Sequence, residues 1–206
     1  MDPAYATAGK LQPRLDPIGE YPNGSVMSVQ ICIPYFTGSG HTELLAKTIA
    51  AGAGSARLID VTKIDQRDWD DLDAAKAIVF GAPTYMGSTA AQFDMFLEDA
   101  SDRWMDLQWR DKIAAGFTVA SHPSGDKWGA LVRMSVYAAQ MGMVWIGQTE
   151  IGAPVHPDKP GINKDGAWLG MMATSSRDKS ELIPADDLGT ARRFGMRITA
   201  AVHRWG

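Results

Sequence analysis

From residue 29 onward, short apolar runs alternate with amphipathic stretches of helical length, and few folds accept that order. The apolar runs cover 29–36, 56–61, 76–80, 113–120 and 143–146. Each is too short for a buried helix and long enough for a strand. Between them, 42–53 carries Leu44, Leu45, Thr48 and Ile49 on one face, and 68–75 reads as a short acidic helix. Ser88 is placed to cap a helix in which Phe93, Phe96, Leu97 and Ala100 recur at i, i+3, i+4 and i+7. Residues 127–141 read as a further helix, 147–180 as a long loop, and 184–204 as a last helix striped by Leu188, Ala191, Gly195, Ile198 and Val202. Strands apolar on both faces and separated by helices predict a parallel sheet covered on both sides. The expected fold is therefore α/β, a three-layer sandwich with a five-stranded parallel sheet.

Residues 1–26 do not share the pattern. They hold Pro3, Pro13, Pro17 and Pro22 and little periodicity, and Met27 precedes the first run. They read as a leader, tag or flexible arm, leaving 27–206 as one domain. The formal net charge of -4 gives no pointer to nucleic acid. No stretch reaches the length of a membrane span, and the chain reads as cytoplasmic. Cys32 is the single cysteine, so a multi-cysteine metal site is ruled out and no metal is expected. It reads as a buried small hydrophobe.

In a doubly covered parallel sheet, ligands bind outside the carboxyl ends of the strands. The loop after the first strand is Thr37-Gly38-Ser39-Gly40-His41-Thr42. It offers three hydroxyls and two glycines immediately before a helix N-terminus, a combination suited to a phosphate. The dinucleotide fingerprint fails because Glu43 stands where its third glycine belongs, and no Gly-Lys-Ser/Thr occurs. A mononucleotide thus fits better than a dinucleotide or ATP. The loop after the third strand, Gly81-Ala82-Pro83-Thr84-Tyr85-Met86-Gly87, could present backbone groups to the edge of a flat heterocycle, with Tyr85 or Met86 packing on its face. After the fourth strand, Ser121-His122-Pro123-Ser124-Gly125-Asp126 is placed to close a third side.

Together these loops resemble those of flavodoxin-like FMN proteins, closest to the WrbA-type NAD(P)H:quinone oxidoreductases. The resemblance rests on 35–43, 80–87, Ala90-Ala91-Gln92-Phe93, Phe96-Leu97, Trp104-Met105, Met141-Gly142-Met143, Val144, Gly147, and Leu188 with Ala191-Arg192 and Phe194-Gly195. It implies FMN, with its phosphate on 37–42, its ring against 83–87 and further contacts from 121–126. It also implies an NAD(P)H:quinone oxidoreductase working by two-electron ping-pong hydride transfer through flavin N5, with NAD(P)H and a quinone-like acceptor as partners. No protein side chain is catalytic in this scheme. The resemblance further implies a homo-oligomer, dimer or tetramer, with Trp104 and Met141 on the substrate side. The chain departs from the family at Ser39, where the family has an aromatic residue. It also has Tyr85 and Met86 in place of an arginine and a phenylalanine, and Met141 in place of a histidine. Two other readings stay open, a flavodoxin-like electron carrier without NAD(P)H oxidase activity and a flavin-free assembly or regulatory subunit.

Overall fold

A computed structural model describes residues 30–176 and 181–205, so the reading of 1–26 as a leader lies outside the described residues. The order is β1 (Ile31–Tyr35), α1 (His41–Ala53), β2 (Arg57–Asp60), α2 (Gln66–Ala74), β3 (Ala77–Tyr85) and β4 (Ser88–Thr89). Then follow α3 (Ala91–Asp99), β5 (Ile113–Ala120), α4 (Lys127–Gln140), β6 (Val144–Trp145), β7 (Met171–Thr174) and α5 (Ala185–Trp205).

The predicted parallel sheet is present, ordered β2-β1-β3-β5, with β6 and β7 both on the outer side of β5. Alternate side chains of each strand leave on opposite faces, which divides the core in two. Ile31, Ile33 and Val79 meet Leu45 and Ile49 of α1 and Phe194 and Ile198 of α5. Cys32, Ile78 and Phe80 meet Leu72, Phe93, Leu131 and Met134 from α2, α3 and α4. Every helix returns antiparallel to its strand, so strand ends and helix starts gather at one edge of the sheet.

Three expectations are corrected. Gly81 does not end the third strand. β3 runs on through Ala82, Pro83 and Thr84 because β5 continues to pair with it up to Pro83↔Val119. Ser88 does not cap α3. It lies in β4, which pairs antiparallel with the end of β3, and the N-cap is Ala90 without a side-chain bond. The hairpin between them is a two-residue turn with positive φ at Met86 (50°) and Gly87 (83°), the backbone that matches strand twist.

The third correction concerns the last strand. It is split: β6 pairs with the start of β5 (Ile113↔Val144), and β7 with its end (Phe117↔Met171 to Ala120↔Thr174). Residues 147–170 form an insertion that leaves the sheet and returns to the same edge. Its base is closed by Gln148 N donating to Trp168 O (3.0 Å) and Trp145 Nε1 donating to Leu169 O (2.8 Å). Its outer part is tied to α5, where Arg193 pairs with Glu150 (3.5 Å) and Asn163 N donates to Thr190 Oγ1 (2.9 Å).

Candidate functional site

A cleft of about 200 Å³ opens at the carboxyl edge of the sheet. From the first loop it is lined by Thr37, Gly38, Ser39, His41 and Thr42. From β3 come Pro83, Thr84 and Tyr85, and from the end of β5 come Val119, Ala120 and Ser121. Ser175, just beyond β7, completes the lining. The first two loops are thus brought together as expected. Val119, Ala120 and Ser175 were missed. The signal for Ser175 was the short run Met171-Met172-Ala173-Thr174 after Gly170, hidden inside what reads as a long loop.

The first loop is shaped for its place. Gly40 takes φ 89°, a conformation that costs an L side chain about 1–2 kcal/mol, and its N–H donates to Thr37 Oγ1 (3.0 Å). Gly40 O in turn accepts from Leu44 N (3.0 Å), so the loop feeds straight into α1. The free N–H groups and positive dipole end of this helix face the cleft. A Cβ on Gly38 would collide with the Tyr85 hydroxyl, so the first loop and β3 approach each other only because that position has no side chain.

Several predicted residues stand elsewhere. The Thr84 hydroxyl is shared with Thr118 Oγ1 (2.7 Å), so it is turned toward β5. Met86 projects fully into solvent at the hairpin tip, and Gly87 packs its carbonyl against Gly129 of α4. Of the third loop only Ser121 lines the cleft. His122, Pro123, Ser124, Gly125 and Asp126 curl away, with Gly125 and Asp126 at positive φ and Lys127 N donating to Ser124 O (3.1 Å). Trp104 and Met141 are not brought to the cleft of their own chain. Each follows the C-terminal end of a helix, α3 or α4, and therefore lies toward the opposite edge of the sheet. Trp104 is half-exposed there, and Met141 is buried beside Tyr137 and Met143.

No lysine or arginine lines the cleft among the described residues. The one buried cation among the described residues is Lys127 at the start of α4, 1% exposed, whose Nζ donates to Ala173 O (3.1 Å) and Thr174 Oγ1 (2.8 Å) and pairs with Asp165 (3.3 Å). Burial pushes its ammonium below the ordinary lysine value, with Asp165 acting in the opposite direction. What the cleft offers, besides the His41 ring, is hydroxyls, backbone N–H groups and a helix dipole. Such a set can hold a phosphate monoester without a cationic side chain.

Residues 32–139 match the model of the flavodoxin domain. The chain belongs to the flavodoxin family. FMN is the cofactor of this family. Flavodoxin FldP of Pseudomonas aeruginosa is 37% identical over 174 residues, covering 81% of this chain and 92% of that protein. A protein of Azorhizobium caulinodans named NAD(P)H dehydrogenase (quinone) is 27% identical over 189 residues, covering 81% and 93%. A solved WrbA-like flavodoxin from Agrobacterium tumefaciens superposes with a TM-score of 0.70 at 30% identity, over 87% of this chain and all of that one. The FMN fit rests on the cleft itself: a positive-φ glycine at a helix N-terminus, hydroxyls on three chain segments, and a glycine whose missing side chain lets the Tyr85 hydroxyl lie against the first loop.

Proposed function

We propose that the cleft holds FMN and that the chain is an electron carrier of the flavodoxin type. In this reading the first loop and the start of α1 take the phosphate, and Pro83 to Tyr85 meet the ring. Bound FMN supplies one- and two-electron redox chemistry, while the protein holds it, orients it and shields it from water. The observation that carries the reading is a cleft lined by no lysine or arginine among the described residues, joined to an exposed apolar rim. Tyr85 is half-exposed and Met86 fully so, a surface suited to brief contact with a redox partner.

A second reading, an FMN-dependent NAD(P)H:quinone oxidoreductase, is favoured by the near full-length match to the dehydrogenase of A. caulinodans. Against it stand the absence of a lining lysine or arginine among the described residues and the placement of Trp104 and Met141 outside the cleft of the single chain. FMN-loaded protein mixed anaerobically with NADH or NADPH separates the two. The carrier keeps its oxidised flavin absorbance with either nucleotide and loses it with dithionite. Rapid bleaching by NAD(P)H and steady turnover with a quinone would establish the dehydrogenase. Protein that takes up no FMN refutes both.

A homo-oligomer belongs to the same proposal. Trp128, Val132, Val136 and Ala139 fall at i, i+4, i+8 and i+11 on α4, opposite core-facing Leu131, Met134 and Ala138. A helix apolar on both its inner and outer faces is shaped to be covered. A second copy of the chain is the proposed cover. Light scattering on wild type and Trp128→Glu checks it; the variant is expected to run at a smaller assembly size.

A further inference from the structure

The end of β7 is held from two sides by charges that the consecutive insertion residues Lys164 and Asp165 complete. On one side Lys127 donates to Thr174 Oγ1 (2.8 Å) and Ala173 O (3.1 Å) and pairs with Asp165 (3.3 Å). On the other, Thr174 N donates to Asp187 Oδ2 (2.9 Å), and Asp187 pairs with Lys164 (3.4 Å). Lys127 and Asp187 are both buried. A buried charge is costly unless paired and hydrogen-bonded, and replacing a whole pair by well-packed apolar side chains often costs no stability. What these charges add is position.

β7 has only four residues, and it returns to the sheet after a long excursion. Met171 and Ala173 point inward, while Met172 is only partly buried, so its own apolar pattern sets its register weakly. A slip by one residue would exchange its two faces. The residues that depend on this register are at the cleft. Ser175 lines it and donates its N–H to Ala120 O (2.9 Å). Ser176 N donates to Leu182 O (2.9 Å), and Leu182 Cδ1 lies 3.4 Å from where a Gly40 side chain would begin.

We infer that Lys127, Asp165, Lys164 and Asp187 form a clamp on Thr174, through which the 147–170 insertion positions the outer wall of the cofactor cleft. The inference rests on the reading of that cleft as the FMN site. The four are positioning residues acting through Ser175. The insertion is then a strut for cofactor retention, even though only the segment beyond its return strand reaches the cleft.

The test uses the full chain and two readouts: backbone amide exchange over 171–176 without added cofactor, and FMN affinity from flavin fluorescence quenching. Asp165→Asn and Lys164→Met change partly exposed partners and should fold. In each, exchange at Ser175 should speed up and FMN affinity fall about threefold, the scale of a partly exposed ion pair. Lys127→Met strands two β7 acceptors and should lose about tenfold or more. Combining Asp165→Asn with Ser175→Ala should cost no more affinity than the larger single loss. Unchanged exchange in Asp165→Asn and Lys164→Met overturns the clamp. Faster exchange with unchanged FMN affinity, or fully additive losses with Ser175→Ala, overturns its link to the cleft. Wild-type protein that binds no FMN refutes the functional reading instead, and the exchange data still decide whether the clamp exists.

Discussion

Helix α1 begins and ends on glycines of the same backbone hand, which allows the role of the first loop to be separated from its contribution to folding. Gly40, at the N-cap, has φ 89°, and Gly54, at the C-cap, has φ 82°. An alanine at Gly54 would meet nothing within 4 Å, and at Gly40 its Cβ would make ordinary contact, 3.4 Å from Leu182 Cδ1. Neither Gly→Ala change creates a hard clash, so each carries a backbone penalty, about 1–2 kcal/mol at αL Gly40 and about 1–3 kcal/mol at Gly54, whose ψ of -40° lies outside αL. They differ in where it is felt. Gly54 donates to Ala50 O (3.1 Å) at the sheet edge away from the cleft, so Gly54→Ala should lower the melting temperature by about 2–4 °C per kcal/mol and leave FMN affinity unchanged. Gly40 is held by the short bond to Thr37 Oγ1, and its loop can relax when no phosphate is present. Gly40→Ala should therefore lower the melting temperature of the cofactor-free protein less and weaken FMN about tenfold, since 1.4 kcal/mol is one decade. Thermal melts of cofactor-free protein and fluorescence titration with FMN measure both quantities. A Gly40→Ala protein that melts like Gly54→Ala and binds FMN like wild type would refute the claim that this loop conformation is the phosphate cradle.

Other outcomes follow from single residues. Met86 sits at φ 50° with its side chain in solvent, so Met86→Asn, which tolerates that conformation in a two-residue hairpin, should raise the melting temperature without changing FMN affinity. Burial pushes the Cys32 thiol up to about 12, with Asp71 adding to the shift, so a thiol reagent at neutral pH should label the protein only at its rate of opening and label urea-unfolded chain at once. Burial raises the Asp60 carboxyl, but hydrogen bonds from the Thr62 hydroxyl and N–H, together with Lys63, outweigh it and hold the group below the ordinary range. A depressed carboxyl stabilises the fold above its unfolded value of about 3.9 and loses that contribution as pH falls through the folded value. Urea midpoints between neutral pH and pH 3 should thus fall less steeply in Asp60→Asn than in wild type.

How far the sequence could be read depended on whether the signal was local. The apolar runs of β1, β2 and β5 and the stripe of α5 announce themselves through their own periodicity, and each was found within two residues of its bounds. The first loop was legible for the same reason, since glycines and hydroxyls before a helix are a local pattern. The errors share a different cause. Gly81 and Pro83 look like a strand ending, but strand length was set by β5, which keeps pairing with β3 beyond them. Ser88 has the composition of a cap, but pairing with Tyr85 made it part of a strand. The 121–126 loop has the right composition for a ligand, but two positive-φ residues curl all but Ser121 away from it.

The split strand is the most consequential of these. Met171–Thr174 is too short and too close to glycines to declare itself, and it becomes a strand only because the far half of β5 is left without a partner where β6 stops at Trp145. An uncovered strand edge exposes unpaired N–H and C=O groups, and the return of the chain there resolves that cost. Filling the edge has a second effect, because the residue after the new strand emerges at the carboxyl end of the sheet, where the cleft lies. Ser175 therefore reaches the site as a result of sheet completion rather than of any binding motif. A chain with 147–169 cut out and Ile146 joined to Gly170 would test this directly. If sheet completion alone places Ser175, that chain should keep FMN affinity as long as β7 still pairs. If the charges of Lys164 and Asp165 are needed, affinity should fall although the sheet is intact.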